Sequence, residues 1–386
     1  MDQPPAPTHA PRFPPANAEL RIQRPHAWLS SAALSVSDDS LDDAAGAAAL
    51  DVVREAPLCA ETPARWLSWS LTPAPSVYVR SNFAPPLLDP SHVIHVGGAV
   101  QSPMAMAVSD LAALPQRHVT VTMECAGNGR LGMDPVPPGE PWRFGAVSTT
   151  TWSGVSLRTL LERAHPAPDV VEWVGYGADA GLRDDATGLV PFARSLPVAD
   201  ALHPDTIVAT HMAGVPLSVD HGAPVRLIVP GWYGMASVKW LTRLEALTTP
   251  FTGYFQQQRY VYDEQGTITP VRRARVKSMI TSPVDGGRCA RAVTVQGWAW
   301  SGVGAIARVE LAVNDTPIWV EAALGTPVSA YAWTPFEAEL MLPEAPLATI
   351  RSRATDTEGN MQPERMAWNR LGYGNNGIRG VVVAVG

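Results

Sequence analysis

The sequence is short of basic runs, of long apolar runs and of cysteine, and each shortage disfavours a class of function. Net charge is −7 over 386 residues, the isoelectric point is about 5.7, and lysine and arginine are scattered. A nucleic-acid binder gathers such residues into a patch, so that class is set aside. No apolar stretch approaches the roughly 18 residues of a membrane-spanning helix. The three cysteines, Cys59, Cys125 and Cys289, are odd in number and far apart, with no CxxC pair and no zinc spacing. That argues against a disulfide framework and against a structural zinc site, and is compatible with a reducing compartment. The lead-in has no paired arginine and no cleavage site, and its mildly apolar part runs into Asp38, Asp39, Asp42 and Asp43. It reads as an unprocessed start, which places the protein in the cytoplasm.

What is present points to strands and loops. Hydrophobic residues make up 46% of the chain, alongside 13 tryptophans, 37 prolines and 31 glycines, a composition unlike that of a helical bundle. The length predicts two domains. Residues 1–48 are proline-rich (MDQPPAPTHAPRFPPANAE at the start) and are predicted to be disordered, with order beginning near Ala49. Helices are expected after Thr62 as N-cap with Pro63 following, after Ser109, over GVSLRTLLERA with Ser153 as cap, and in ARSLPVADAL with Ser195 as cap. Strands are expected at SHVIHVGGAV, VVEWVGYGADAG, TIVAT, VRLIV and ASVKWLTRLEAL. Gly175, Gly177 and Ala180 match a dinucleotide-binding fingerprint, but turn residues and no helix follow, so the match is rejected. From about Arg273 short strands alternate with polar turns, the pattern of an immunoglobulin-like β-sandwich. Trp298 and Trp300 there read as core or interface aromatics, and the unit as a self-association module. The fold class is α+β, a mixed α/β domain over 49–272 followed by the sandwich over 273–386.

Three stretches carry candidate chemistry. In VTMECAGNGR, Val119, Val121 and Met123 alternate with threonines and Glu124 as a half-buried strand that stops in small residues. Cys125 sits at the junction. Alone, such a cysteine packs more often than it reacts. The proline-rich GMDPVPPGEPW that follows is expected to lie over whatever Cys125 addresses. In YVRSN, Arg80 is either a solvated cation or an anion-binding group. In DHGAPVRLIVPGWYGMASVKW, His221, Arg226 and Lys239 flank a glycine-rich turn. They are either ordinary charge, with His221 bonded to nearby backbone, or an anion cradle.

Together these stretches resemble the sulfite oxidase family of molybdenum-cofactor (molybdopterin) oxidoreductases, from about Leu50 to the C-terminus. ECAGNGR is similar to the family's cysteine motif, DHGAPVR with VPG and VKW to its pterin-phosphate signature, and YVRSN to the segment whose arginine faces substrate. The resemblance implies a sulfite-oxidase-type molybdopterin-binding domain and an immunoglobulin-like dimerisation domain, hence a homodimer. It implies Cys125 as the metal ligand, and Arg80, Ser81, Asn82, His221, Arg226, Ser237 and Lys239 as cofactor-binding residues. It places Arg80, Cys125, Trp152 and Phe192 at the reacting face, and it implies no haem. Two positions depart from the family. Phe192 stands where sulfite-oxidising members carry a tyrosine hydroxyl. Gln257 and Gln258 stand where many carry an arginine, with Arg259 one place further. Both departures weaken the anion pocket. The implied activity is oxidation of sulfite, or a related small sulfur oxyanion, to sulfate, with electrons passed to an external acceptor. The alternatives are reduction of an S-oxide, N-oxide or nitrate on the same cofactor, and a cofactor-free binding protein in which Cys125 is merely buried.

Overall fold

In the computed structural model, residues 50–89, 91–264 and 266–386 are described, and the predicted disordered lead-in over 1–48 lies outside them. The protein is mostly sheet. Among the described residues the α-helices are Leu157–Arg163, Val198–Ala201 and Tyr254–Gln257, and the other helical pieces are short 3-10 turns. The fold is therefore leaner in helix than the α+β expectation. Among the described residues no helix is long and apolar enough to cross a membrane.

Strand pairing accounts for the missing helix. Thr62 does not cap; its hydroxyl bonds that of Ser148 at 2.9 Å, and only the 3-10 turn Ala64–Trp66 follows Pro63. The segment after Ser109 is likewise a 3-10 turn, Val108–Ala113, entered from Ala107. Ser153 lies inside the strand Val147–Ser156, opposite His118, so the next helix starts after Ser156. Ser195 is held in the strand Val190–Pro197 opposite Val174. For Ser153 and Ser195 ladder bonds outcompete a local cap, as tertiary context commonly overrides propensity. The strand Glu172–Gly181 carries Gly175 and Gly177 straight into a hairpin with Val190–Pro197, which confirms that no dinucleotide turn forms there. Of ASVKWLTRLEAL only Leu241–Leu247 is strand, which leaves Ser237 and Lys239 in a loop.

The first part of the chain builds two larger sheets. In one, Gln116–Glu124 pairs with Val147–Ser156, which pairs with Ile207–Met212, itself flanked by Val215–Pro216 and Arg226–Ile228. In the other the order is Met104–Ala107, Val93–Gly98, Leu241–Leu247, Glu172–Gly181, Val190–Pro197. Val93–Gly98 and Leu241–Leu247 run parallel. From Lys277 onward two further sheets share one core, with Val295 and Phe336 from one layer meeting Leu311, Ile350 and Val383 from the other.

Gln116–Glu124 is an edge strand, and the second unit covers it. Thr122 donates its amide to the Tyr331 carbonyl at 2.8 Å, and the Trp333 amide donates to the Thr122 hydroxyl at 2.7 Å. Both faces of its second half, Val121–Glu124, are thus enclosed, where the alternation implied one, while Gln116 and His118 stay exposed. The indoles of Trp298 and Trp333 stack at 5.1 Å and donate to the Leu67 and Ser70 carbonyls. The expectation of interface tryptophans holds.

At the heart of this junction Glu124, 2% exposed, accepts from Lys277 Nζ at 2.7 Å, Asn128 Nδ2 at 2.9 Å and Trp300 Nε1 at 3.0 Å. Breaking such a pair strands a charge away from water. Lys277→Met is expected to cost about 3 kcal/mol of stability, read as a lowered unfolding midpoint. A loss under about 1 kcal/mol would show that Glu124 finds another countercharge.

Candidate active site

The Cys125 turn is shaped by its neighbours. Its amide donates to the Ala146 carbonyl and its carbonyl accepts from the Asn128 amide, closing a tight turn directly after the strand. A Cβ on Gly127 would lie 2.7 Å from the Arg130 guanidinium. Gly129 has φ +82°, and its Cβ would press on the Phe144 ring at 3.1 Å. The small residues therefore let Arg130 fold back under the turn, where its guanidinium donates to the Glu140 and Leu371 carbonyls. Arg130 is a site residue that sequence reasoning missed, although it closes the ECAGNGR motif itself.

Cys125 is shared by the walls of two adjoining cavities. The inner one brings together Arg80, Asn82, Trp152, Phe192, His221 and Arg226. Ser237 and Lys239 line it too, and Ser81 joins through its hydroxyl, which accepts from Lys239 Nζ at 2.8 Å. Residues more than 100 positions apart thus meet, delivered by the ends of both larger sheets and by the 3-10 turn Gly234–Ala236.

Two unforeseen residues belong here. Asp179, from the strand Glu172–Gly181, is 5% exposed, and its Oδ1 has no hydrogen-bond partner among the described residues. Tyr260 borders both cavities, and its hydroxyl accepts from Asn82 Nδ2 at 3.2 Å. Tyr260 supplies a phenol near the place where Phe192 offers none. Phe192 itself packs on Phe255, ring centres 4.7 Å apart.

The outer cavity is lined by guanidinium groups of Arg80, Arg130, Arg183 and Arg259, and by Glu140. Pro138 and Gly139 are also in its wall, so the proline-rich loop lies over Cys125 as expected. Arg183 stacks on Phe83 at 4.6 Å and donates to Asn82 Oδ1 at 3.3 Å. The expected loss of an arginine at Gln257 and Gln258 needs correction. Both glutamines are exposed, and the helix Tyr254–Gln257 turns Arg259 toward the cavity instead. Arg183 adds a second cation that only the hairpin geometry reveals.

Burial controls the charge states. Desolvation, then the nearby Arg226 and Lys239, push His221 down to about 3, so its imidazole is neutral. Both ring nitrogens are engaged, Nε2 with the Val77 carbonyl at 3.2 Å and Nδ1 with the Ser218 hydroxyl at 2.9 Å. The backbone-bonded reading of His221 thus holds, and the cationic one does not. Arg226, pushed down to about 10 by burial, donates to the His221 and Ser237 carbonyls and lies over the Trp152 ring at 4.8 Å. Lys239 is pushed down to about 7 by burial and by Arg226. Asp179 is raised to about 6 by burial, against the field of Lys239. Burial also raises the Cys125 thiol, against Arg80 and the Gly127 amide.

Among the described residues no three His, Cys, Asp or Glu side chains converge to hold a metal. One soft thiol beside a cationic cavity instead suits a metal that brings its own ligands. Trp152 Nε1 and Asp179 Oδ1 are both buried on the inner wall without hydrogen-bond partners among the described residues, a donor and an acceptor open to a polar ligand. Arg226 and Lys239 fit its anionic end. The residues present fit a molybdenum–pterin group.

Lys239 also makes a pH prediction. Its folded pKa lies below its unfolded one, so between about pH 7 and pH 9 the unfolded chain binds more protons and stability rises with pH. Cofactor-free protein is expected to gain about 2 kcal/mol over that window in unfolding experiments, and Lys239→Met to abolish the gain.

Comparison with known proteins agrees with this geometry. Residues 82–255 match the family model for an oxidoreductase molybdopterin binding domain, and residues 269–385 that for a Mo-co oxidoreductase dimerisation domain. Mitochondrial sulfite oxidase of Mus musculus is 34% identical over 382 residues, covering 92% of this chain and 69% of that protein. Sulfite oxidase of Arabidopsis thaliana is 28% identical over 375 residues, covering 87% and 94%. The crystal structure of the sulfane dehydrogenase SoxCD from Paracoccus pantotrophus shares the fold, with a TM-score of 0.74 at 24% identity over 92% of each chain. A cysteine turn lies between a cationic inner cavity and an arginine-lined outer one, and by these matches the chain belongs to the sulfite oxidase family of molybdenum-cofactor oxidoreductases.

Proposed function

We propose that the chain holds a molybdenum–pterin cofactor in the inner cavity and oxidises sulfite, or a related sulfur anion, received in the outer one, passing electrons to an external acceptor. The position of Cys125 carries this reading. It is common to both walls, so a metal on its thiolate would face an anion gathered by Arg80, Arg183 and Arg259.

The chain's own residues divide the work. Arg226 and Lys239 would neutralise the cofactor phosphate, while Asp179 and Trp152 would meet the polar edge of the pterin. His221, neutral and tied at both nitrogens, would shape that wall rather than bind the phosphate by charge. When bound, the cofactor supplies oxygen-atom transfer and two-electron chemistry. Arg80 is held by Asn82 Oδ1 at 2.9 Å and by the Ser81 carbonyl, so its guanidinium is fixed before an anion arrives. The Tyr260 hydroxyl would orient an oxygen of the bound anion. The aromatic walls, Trp142, Phe255 and Tyr373, limit water around it.

The division into a cofactor domain over 49–272 and an immunoglobulin-like unit over 273–386 that pairs two copies belongs to the same proposal. It draws on the two sheets around one core and on the name of the matching family model. A second reading, reduction of an S-oxide, N-oxide or nitrate, draws on Glu140, whose carboxylate lowers the positive charge of the outer cavity.

Protein made in a cofactor-competent host is expected to contain about one molybdenum per chain and to oxidise sulfite with an artificial acceptor. Cys125→Ala is expected to abolish turnover while the pterin stays bound. Metal-loaded native protein that ignores sulfite but reduces an oxide would favour the second reading. Full activity in Cys125→Ala would refute the ligand role.

A further inference from the structure

The outer cavity holds one carboxylate among its guanidinium groups. Glu140, on the proline-rich loop, has a side chain only 14% exposed. Its Oε1 lies 2.5 Å from Nη1 of Arg54 and 4.0 Å from Nη2 of Arg80, which lines the cavity with Cys125. The negative charge is therefore fixed where an anion would approach Arg80.

The loop does not need this charge to hold its place. The Glu140 backbone carbonyl accepts from Arg130 at 2.7 Å, the Leu131 amide donates to the Trp142 carbonyl at 3.1 Å, and the Trp368 indole donates to the Pro135 carbonyl at 2.8 Å. Arg54 is anchored independently, donating to the Pro57 carbonyl at 2.9 Å and the Ser81 carbonyl at 3.0 Å, so neither it nor the loop depends on the carboxylate for its position. What the carboxylate does strongly is electrostatic. A fixed charge repels a ligand in proportion to the ligand's own charge.

We infer that Glu140 is a specificity-determining residue that grades the outer cavity by charge, weakening dianions relative to monoanions and neutral substrates. The inference rests on the reading that Arg80 receives the substrate anion. It narrows the substrate class to sulfur species of low charge, such as a protonated or organic monoanion.

Dissociation constants for sulfate and for nitrate, measured by calorimetry on cofactor-loaded protein at fixed ionic strength, test it. In Glu140→Gln, nitrate is expected to bind about 3-fold tighter and sulfate about 10-fold tighter, because the repulsion removed doubles with ligand charge. Glu140→Asp is expected to keep the native sulfate-to-nitrate ratio. Glu140→Leu, a second charge-free variant, is expected to match the glutamine form should the latter fold poorly. The KM for sulfite is expected to fall in Glu140→Gln. Equal gains for both anions, or an aspartate variant that behaves like the glutamine one, would overturn the inference. Native protein that fails to oxidise sulfite yet shows the charge-graded gain would remove the proposed function and leave the role of Glu140 standing. Sulfite oxidation with an unchanged sulfate-to-nitrate ratio would do the reverse.

Discussion

The buried carboxylate of Glu124 ties the molecule together. It immediately precedes Cys125 and accepts from Lys277 and Trp300 of the C-terminal unit and from Asn128 of the cysteine turn itself. A charge so enclosed has strong preferences about its partners, because each is expensive to lose in a low-dielectric setting. The thiol-bearing turn is therefore positioned as much by the second unit as by its own strand. The Tyr331–Trp333 segment extends the same lock along the open edge of Gln116–Glu124. Separating the two units would expose both that edge and the support of the cysteine turn.

The inner cavity shows the opposite balance. Arg226 and Lys239 are buried together, and burial lowers the proton affinity of both. Their hydrogen bonds run to backbone carbonyls and to Ser81 rather than to carboxylates. Folding has gathered two cationic groups there with no carboxylate hydrogen-bonded to either, which is costly unless an anion arrives. Asp179, partly protonated near neutral pH and lacking a hydrogen-bond partner for Oδ1 among the described residues, is poised similarly. Strain of this electrostatic kind is the signature of a site built for a ligand rather than for stability.

Much of this was legible in the sequence, for definite reasons. Alternation and a run of small residues announce the Cys125 turn because strand period and backbone clearance are local properties. The motifs around Arg80 and Arg226 are equally local, and their meeting follows from the family resemblance. Asp179, Arg183 and Tyr260 carry no such sign. Their places depend on a hairpin and on a short helix whose packing no single stretch encodes. The helix caps fail for a related reason: Thr62, Ser153 and Ser195 have good capping chemistry, but each is taken up by a strand or by a cross-sheet hydrogen bond. His221 has motif-level identity as a cation, yet burial beside Arg226 leaves it neutral.

The account stands on Cys125 as the point where the two cavities meet at a metal. X-ray absorption at the molybdenum edge tests this directly, comparing loaded native protein with Cys125→Ser. The predicted result is a metal shell that loses one sulfur neighbour in the variant while its remaining sulfur ligands persist. An unchanged sulfur shell would contradict the account, because the thiol would then lie beside the cofactor without holding it.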